Sequence, residues 1–284
     1  MTSAVAVQGR PAGTIRQAVA GHPVTAMLLM MFTVAFALLI PAALSGLPIE
    51  PFLLAVVLLA QLLPAVLVTG AVGGRPAVRE LFGRVFRWRV RPRWYLLALL
   101  ALPVASLAAS AVVLGPGVLR TLAADPGYIT AYLGVLTIVP LVNLWEETAW
   151  MGVVQARLAA RHGLLLGAVM TAPLFGLMHL PLHIGQPAGQ FIGGMALLMG
   201  LAIPLRIVIG WLYDRTGASI LLVAALHATF NATNNNMSLV ADAAPGAAHG
   251  RVTLVSEMTW FVIAAWGLVL AGVLVRRRLS SVRG

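Results

Sequence analysis

The sequence predicts an all-α, polytopic membrane protein, and three observations lead to that fold class. Hydrophobic residues make up 60% of the 284 positions, and only 10% are charged. The apolar residues come in runs of about 20, the length that a helix needs to cross a bilayer. Arginines collect between these runs. A soluble core could not bury so much apolar surface, so we expect one integral membrane domain over residues 1–284.

Eight apolar runs qualify as membrane-spanning helices, so we expect about eight transmembrane helices. In chain order they cover residues 24–44, 51–72, 95–114, 133–158, 164–182, 191–209, 218–233 and 258–275. The seventh run is short.

The arginines between the runs or near their ends predict the orientation of the chain. With a cytosolic N-terminus, the cytosolic segments hold, in order, Arg10, Arg16, Arg75, Arg79, Arg84, Arg87, Arg89, Arg91, Arg93, Arg157, Arg161, Arg206, Arg215, Arg276, Arg277, Arg278 and Arg283. Only Arg120 and Arg251 fall on the other side. This distribution follows the positive-inside rule, so we expect both termini in the cytosol.

Composition limits the classes of partner and of chemistry. The net charge of +11 comes from arginines next to membrane spans, without a nucleic-acid-binding motif, so membrane lipids are the expected partners and nucleic acid is not. The chain has no cysteine, which excludes disulfides, thiolate metal ligands and a cysteine nucleophile. Any catalysis must therefore depend on Glu, His, Asn, Ser or Thr.

The fourth run carries two adjacent acids, Glu146 and Glu147. A carboxylate near the bilayer midplane costs roughly 2.5 to 3.5 kcal/mol, so an acid there indicates a functional site. Neighbouring residues on a helix point about 100 degrees apart. We therefore expect one glutamate to face a site and the other to have its own partner.

Two histidines accompany these acids at helical spacing. His227 precedes Asn231 by four residues, and Phe175 precedes His179 by four, so each pair projects from one helical face. A single intramembrane histidine is more often a buried hydrogen-bonding group than a ligand. Buried Glu and His can also form a proton relay, so a proton-coupled transporter is one alternative function.

The order and spacing of these motifs resemble the CPBP family, the CAAX proteases and bacteriocin-processing enzymes also called Abi proteins. The resemblance comprises Glu146-Glu147, then Phe-x-x-x-His ending at His179, then His-x-x-x-Asn from His227 to Asn231. It implies a CPBP-like catalytic region over about residues 133–235 and an intramembrane metalloendopeptidase of the type II CAAX prenyl protease kind.

The resemblance also implies a role for each matching residue. Glu146 would be the general base that activates a water, His179 would hold that water or a metal, and His227 with Asn231 would stabilise the oxyanion. Two histidines and a glutamate would suit catalytic zinc, with His179 and His227 as candidate ligands. A metal-free glutamate mechanism is the open alternative.

One position departs from the family pattern. The family has Glu-Glu-x-x-x-Arg, and Met151 stands where the arginine would be. Glu147 then lacks a partner on its own helix. Either Glu147 is protonated, or an arginine from another helix supplies the charge, and Arg206 is the candidate. The change also leaves open a catalytically inactive immunity or scaffold protein with the same fold. His183 lies four residues after His179 but is not expected in the site.

These observations predict an intramembrane endopeptidase that hydrolyses peptide bonds of membrane-associated peptides or proteins. The plain, eight-span chain suggests a bacterial inner membrane protein. The oligomeric state is left open.

Overall fold

A computed structural model describes residues 14–124, 127–234 and 249–283. These residues form helices and no strands, which confirms the predicted all-α fold class. The α-helices are α1 (Thr14–Gly21), α2 (Pro23–Leu44), α3 (Glu50–Ala55), α4 (Leu63–Val85), α5 (Pro92–Leu114), α6 (Gly117–Ala124), α7 (Gly127–Ala149), α8 (Ala156–His162), α9 (Leu164–Met178), α10 (Ala188–Arg215), α11 (Ile220–Asn234) and α12 (His249–Arg283).

Three other helical segments interrupt this series. A first π-helix, Val56–Leu62, joins α3 to α4, and a second π-helix, Trp150–Gln155, joins α7 to α8. A 3₁₀-helix, Leu180–His183, follows α9. A π-helix is wound more loosely than an α-helix, so the side chains beyond it are rotated about the helix axis.

Within the described residues, five helices are long and apolar enough to cross a membrane. They are Pro23–Leu44, Pro51–Val85, Pro92–Val113, Ala188–Arg215 and Met258–Arg276, and Leu164–Met178 and Ile220–Thr233 are shorter apolar helices. These helices indicate an integral membrane protein. The fourth predicted run forms α7, the second π-helix and α8, and is not among the five. The total of eight spans and the orientation stay predictions. Residues 1–13, 125–126, 235–248 and 284 lie outside the described parts, and with them Arg10 and the last residue of the predicted catalytic region.

Buried apolar side chains form two clusters between the helices. The first lies among α2, the first π-helix, α4, α7, the second π-helix and α9, and includes Met31, Trp150 and Phe175. The second lies among α5, α10, α11 and α12, and includes Leu102 and Ile209. Large apolar side chains also cover the outer surface, where bilayer lipid would surround them.

A close helical hairpin brings α9 alongside the segment that carries the glutamates. The chain reverses at Gly163, whose φ of +85° favours glycine. A Cβ added at Gly167 would lie 2.6 Å from the Ala159 nitrogen, so the two helices touch there. Glu147 lies twelve residues before Ala159, and His179 lies twelve after Gly167. The hairpin therefore places Glu147 and His179 at the same level.

Candidate active site

The two adjacent glutamates lie in different surroundings. Glu146 lines a cavity of about 380 Å³, and its side chain is 12% exposed. The side chain of Glu147 is 0% exposed and forms an ion pair inside the protein. The structure thus separates the two carboxylates, as their helical phase predicts.

The partner of Glu147 is Arg206, on α10. Arg206 Nη1 donates to Glu147 Oε1 at 2.7 Å, and both side chains are fully buried. Arg206 Nε donates to Gln155 Oε1 at 2.7 Å, and Gln155 Nε2 donates to the Arg206 carbonyl oxygen at 2.8 Å. The structure therefore contains the ion pair expected from the sequence. Met151 is buried in the second apolar cluster instead.

His227 lies between the two glutamates. Its Nδ1 is 2.8 Å from Glu147 Oε1 and 3.9 Å from Glu146 Oε2. An ionised carboxylate can only accept a hydrogen bond, so Nδ1 carries the proton and donates to Glu147. His227 also lines the cavity, which leaves its other ring nitrogen, Nε2, for contacts there.

Asn143 connects Glu146 to Asn231. Asn143 Nδ2 donates to Glu146 Oε2 at 2.9 Å, and Asn231 Nδ2 donates to Asn143 Oδ1 at 3.4 Å. Asn143 precedes Glu146 by three residues on α7, so the two side chains share one helical face. Asn231, on α11, also lines the cavity. The predicted site residues Glu146 and Asn231 are thus joined through a residue that the motifs did not include.

His179 enters the cavity from the end of α9. The α-helix stops at Met178, and His179 Nδ1 lies 3.0 Å from the Phe175 carbonyl oxygen. A carbonyl oxygen accepts, so Nδ1 donates and Nε2 carries the lone pair. His183 is held elsewhere, with its Nδ1 3.2 Å from Gln186 Oε1.

Phe175 packs against all the basic groups of the site. Its ring centroid lies 5.0 Å from the His179 ring and 5.7 Å from the His227 ring. The Arg206 guanidinium carbon lies 5.3 Å from the same centroid. An aromatic face attracts a cation within about 6 Å. Phe175 therefore fixes the relative positions of two imidazoles and a guanidinium.

Sequence reasoning missed three polar residues of this region. Asn143 and Gln155 are buried and hold Glu146 and Arg206. Gln61, in the first π-helix, is buried and lines the cavity. Each is an amide inside an apolar run, and that pattern is a signal that could have identified them.

The donor set of the site bears on whether a zinc ion fits there. Zinc needs three protein ligands and an open position in catalytic sites. The described part of the chain contains no group of three His, Cys, Asp or Glu side chains that could hold a metal. His179 and His227 as zinc ligands stay a prediction, and no step below is assigned to a metal.

Comparison with known families supports the resemblance predicted from the motifs. The sequence model of a family described as type II CAAX prenyl endopeptidase, Rce1-like, matches residues 127–233. The match includes Glu146, His179, His227 and Asn231, and covers rather more than a third of the chain. This segment is therefore similar to CAAX-type intramembrane proteases. No relative among the curated proteins compared matches this sequence.

Proposed function

We propose that this protein is an intramembrane endopeptidase that uses Glu146 to activate water. The observation that carries the proposal is the placement of Glu146 beside a cavity that His179, His227 and Asn231 also line. Glu147 has its own cation, so only one carboxylate is left for chemistry.

In the first step, Glu146 accepts a proton from a water molecule. His179 Nε2 accepts a hydrogen bond from the same water and orients it. The resulting hydroxide attacks the carbonyl carbon of the scissile peptide bond. Asn143 holds Glu146 Oε2, which fixes the position of the base.

In the second step, the tetrahedral intermediate breaks down. Its oxyanion accepts hydrogen bonds from Asn231 Nδ2 and from Nε2 of His227 in the imidazolium form. Glu147 accepts from His227 Nδ1, and this bond fixes the ring. Glu146 then gives its proton to the leaving nitrogen, the C–N bond breaks, and an acid and an amine are released.

The cavity supports a membrane-associated peptide as substrate. Most of its lining is apolar, with Leu53, Val142 and Leu198 among the side chains, so it suits a peptide with apolar side chains. We place the protein in a bacterial inner membrane, with lipid as its surrounding partner. Met151 stands where the family motif has an arginine, and Arg206 provides the positive charge beside Glu147 in its place. This replacement favours an active enzyme over an inactive scaffold.

The test is cleavage of a panel of quenched and membrane peptides by the purified, detergent-solubilised protein. We expect wild type to cleave and Glu146→Gln to lose at least about a hundredfold in kcat, a usual contribution of a general base. Glu80→Gln is the matched control, because Glu80 is an exposed glutamate that does not line the cavity.

A chelator arm decides between the two routes for activating water. Activity that survives chelation supports the glutamate route. Activity lost on chelation and restored by zinc would instead show that a metal is required, with His179 and His227 as the candidate ligands. No cleavage by folded protein across the panel would contradict the proposal and favour the inactive immunity or scaffold protein, or the proton-coupled transporter.

A further inference from the structure

The first π-helix carries a buried polar group that the proposed chemistry does not use. Gln61 is 3% exposed and lines the same cavity as Glu146. Its Oε1 has no hydrogen-bond partner among the described residues. A buried amide oxygen without a partner is costly, and such groups are rare in folded proteins. Gln61 therefore needs a reason for its place at the cavity.

The π-helical winding explains how Gln61 reaches the cavity. Val56, Val57 and Gln61 all line it, and Val56 and Gln61 are five residues apart. Five residues are close to one turn of a π-helix, whose hydrogen bonds join residues i and i+5. The local winding thus places Gln61 on the cavity-lining face. Short π-helical segments occur frequently at functional sites.

We propose that Gln61 is a substrate-binding residue whose side-chain oxygen accepts a hydrogen bond from a backbone N–H of the peptide substrate. This inference deepens the proposed endopeptidase function and rests on it. A peptide held away from water needs acceptors for its own N–H groups, since each unpaired one is costly. Leu39, Val57 and Leu198 line the same cavity as Gln61, and their apolar surface suits the side chains of the same peptide segment.

The experiment measures binding separately from cleavage. The probe is a fluorescein-labelled peptide of about 20 leucine and alanine residues with a central Gly-Ser pair, a length that spans a bilayer. Binding is measured in the Glu146→Gln background so that the peptide stays intact. We expect Gln61→Leu to weaken binding about tenfold, the value of one hydrogen bond to a buried acceptor.

Peptide analogues identify the donor. In each analogue one central backbone N–H is replaced by N–CH₃. We expect one analogue to lose about tenfold in affinity for Gln61-containing protein, and to lose nothing further in the Gln61→Leu variant. Equal losses for every analogue in both proteins would overturn the assignment. Unchanged binding in Gln61→Leu would overturn it as well.

Thr69→Val is the matched control for folding. Thr69 lies on α4, is 5% exposed, and its Oγ1 also lacks a partner among the described residues. Both substitutions remove a buried, unpaired oxygen, so both should raise the thermal midpoint. Only Gln61→Leu should weaken peptide binding and raise KM while kcat is retained. A lower thermal midpoint with unchanged KM would show that Gln61 has a structural role only.

The two proposals fail in different ways. Wild type that cleaves no peptide while Gln61→Leu still weakens binding would overturn the peptidase and leave Gln61 as a peptide-binding residue. Wild type that cleaves, with the same KM in Gln61→Leu, would overturn the role of Gln61 alone.

Discussion

Glu146 and Glu147 are adjacent in the chain, yet their carboxylates lie in different environments. Glu146 accepts from Asn143 beside the cavity, while Glu147 accepts from Arg206 and His227 inside the protein. The angle of about 100 degrees between neighbouring helical residues is sufficient for this separation. A pair of identical residues can therefore hold two roles.

We predict strong coupling between Glu147 and Arg206. Either Arg206→Met or Glu147→Gln alone leaves an uncompensated buried group, and removing one partner of a buried ion pair costs about 3–5 kcal/mol. The double variant removes both charges, so it should be more stable than the sum of the single changes predicts. Thermal unfolding in detergent, followed by tryptophan fluorescence, gives the free energies for this cycle.

A second variant tests whether an arginine at position 151 can replace Arg206 as the partner of Glu147. Met151→Arg combined with Arg206→Met moves the guanidinium to the position that the family motif uses. It should recover part of the stability lost in Arg206→Met, because residue 151 lies four after Glu147 on the same segment. For the preceding double-mutant cycle, a coupling energy near zero between Arg206→Met and Glu147→Gln would mean that the ion pair has no energetic role.

The sequence could predict some of these contacts but not others. Glu147 and Arg206 are charges inside apolar runs, so each needs a partner, and few partners exist. Asn143, Gln155 and Gln61 are neutral amides, which can pair with each other, with the backbone or with water. Their partners depend on the rotation and depth of each helix, which the apolar pattern does not determine.

At the scale of elements, the α8–α9 hairpin determines the depth of His179. Counted along the predicted spans at an α-helical rise, Glu146 lies roughly 16 Å from Arg157, whereas His179 lies roughly 24 Å from Gly163, so the two residues come out at different depths. Counted from the contact between Gly167 and Ala159, Glu147 and His179 each lie twelve residues away along the chain. The sequence shows the glycine but not the closeness of the helices.

We predict that Gly210→Ala loosens the contact between α10 and the second π-helix. A Cβ at Gly210 would lie 2.6 Å from Gln155 Nε2, so Gln155 would be displaced from Arg206. The loss of these buried hydrogen bonds should cost about 1–3 kcal/mol, and peptide cleavage should fall with it. Thermal unfolding and the cleavage assay measure the two effects.

Gly200→Ala is the control on the same helix. A Cβ at Gly200 meets nothing within 4 Å, so the change should be neutral or stabilise α10 by up to about 1 kcal/mol. If both alanine variants behave alike, the close approach at Gly210 has no energetic importance.

At the scale of the whole molecule, orientation in the membrane can be tested with single cysteines introduced into the natural sequence. The chain has no cysteine, so no native thiol has to be removed before a single introduced cysteine is labelled. Both His162 and Gln186 are exposed: His162 is the last residue of α8, before α9, and Gln186 follows the 3₁₀-helix after α9. A membrane-impermeant thiol reagent added to intact bacterial cells should label Gln186→Cys and not His162→Cys. The opposite pattern would reverse the orientation that the arginines predict.

The all-α fold could be predicted because the bilayer allows few structures. A continuous apolar run of about 20 residues that crosses the bilayer forms a helix, since a helix pairs all its backbone polar groups within one segment. The two π-helices could not be predicted, because a single change of winding leaves no clear trace in an apolar pattern. They nevertheless determine where Gln61 and Gln155 point.

The buried Glu147–Arg206 pair also has a consequence for biogenesis. The chain is synthesised from its N-terminus, so α7 enters the membrane before α10. Until Arg206 arrives, Glu147 has no cation from that helix, and Arg206 itself is costly to insert alone, by about 2.5 to 3.5 kcal/mol. Each charge therefore lowers the free-energy cost of burying the other in the membrane. Assembly of the bundle is then coupled to the order of translation, and a nascent chain that ends before α10 would keep an unpaired acid in the bilayer.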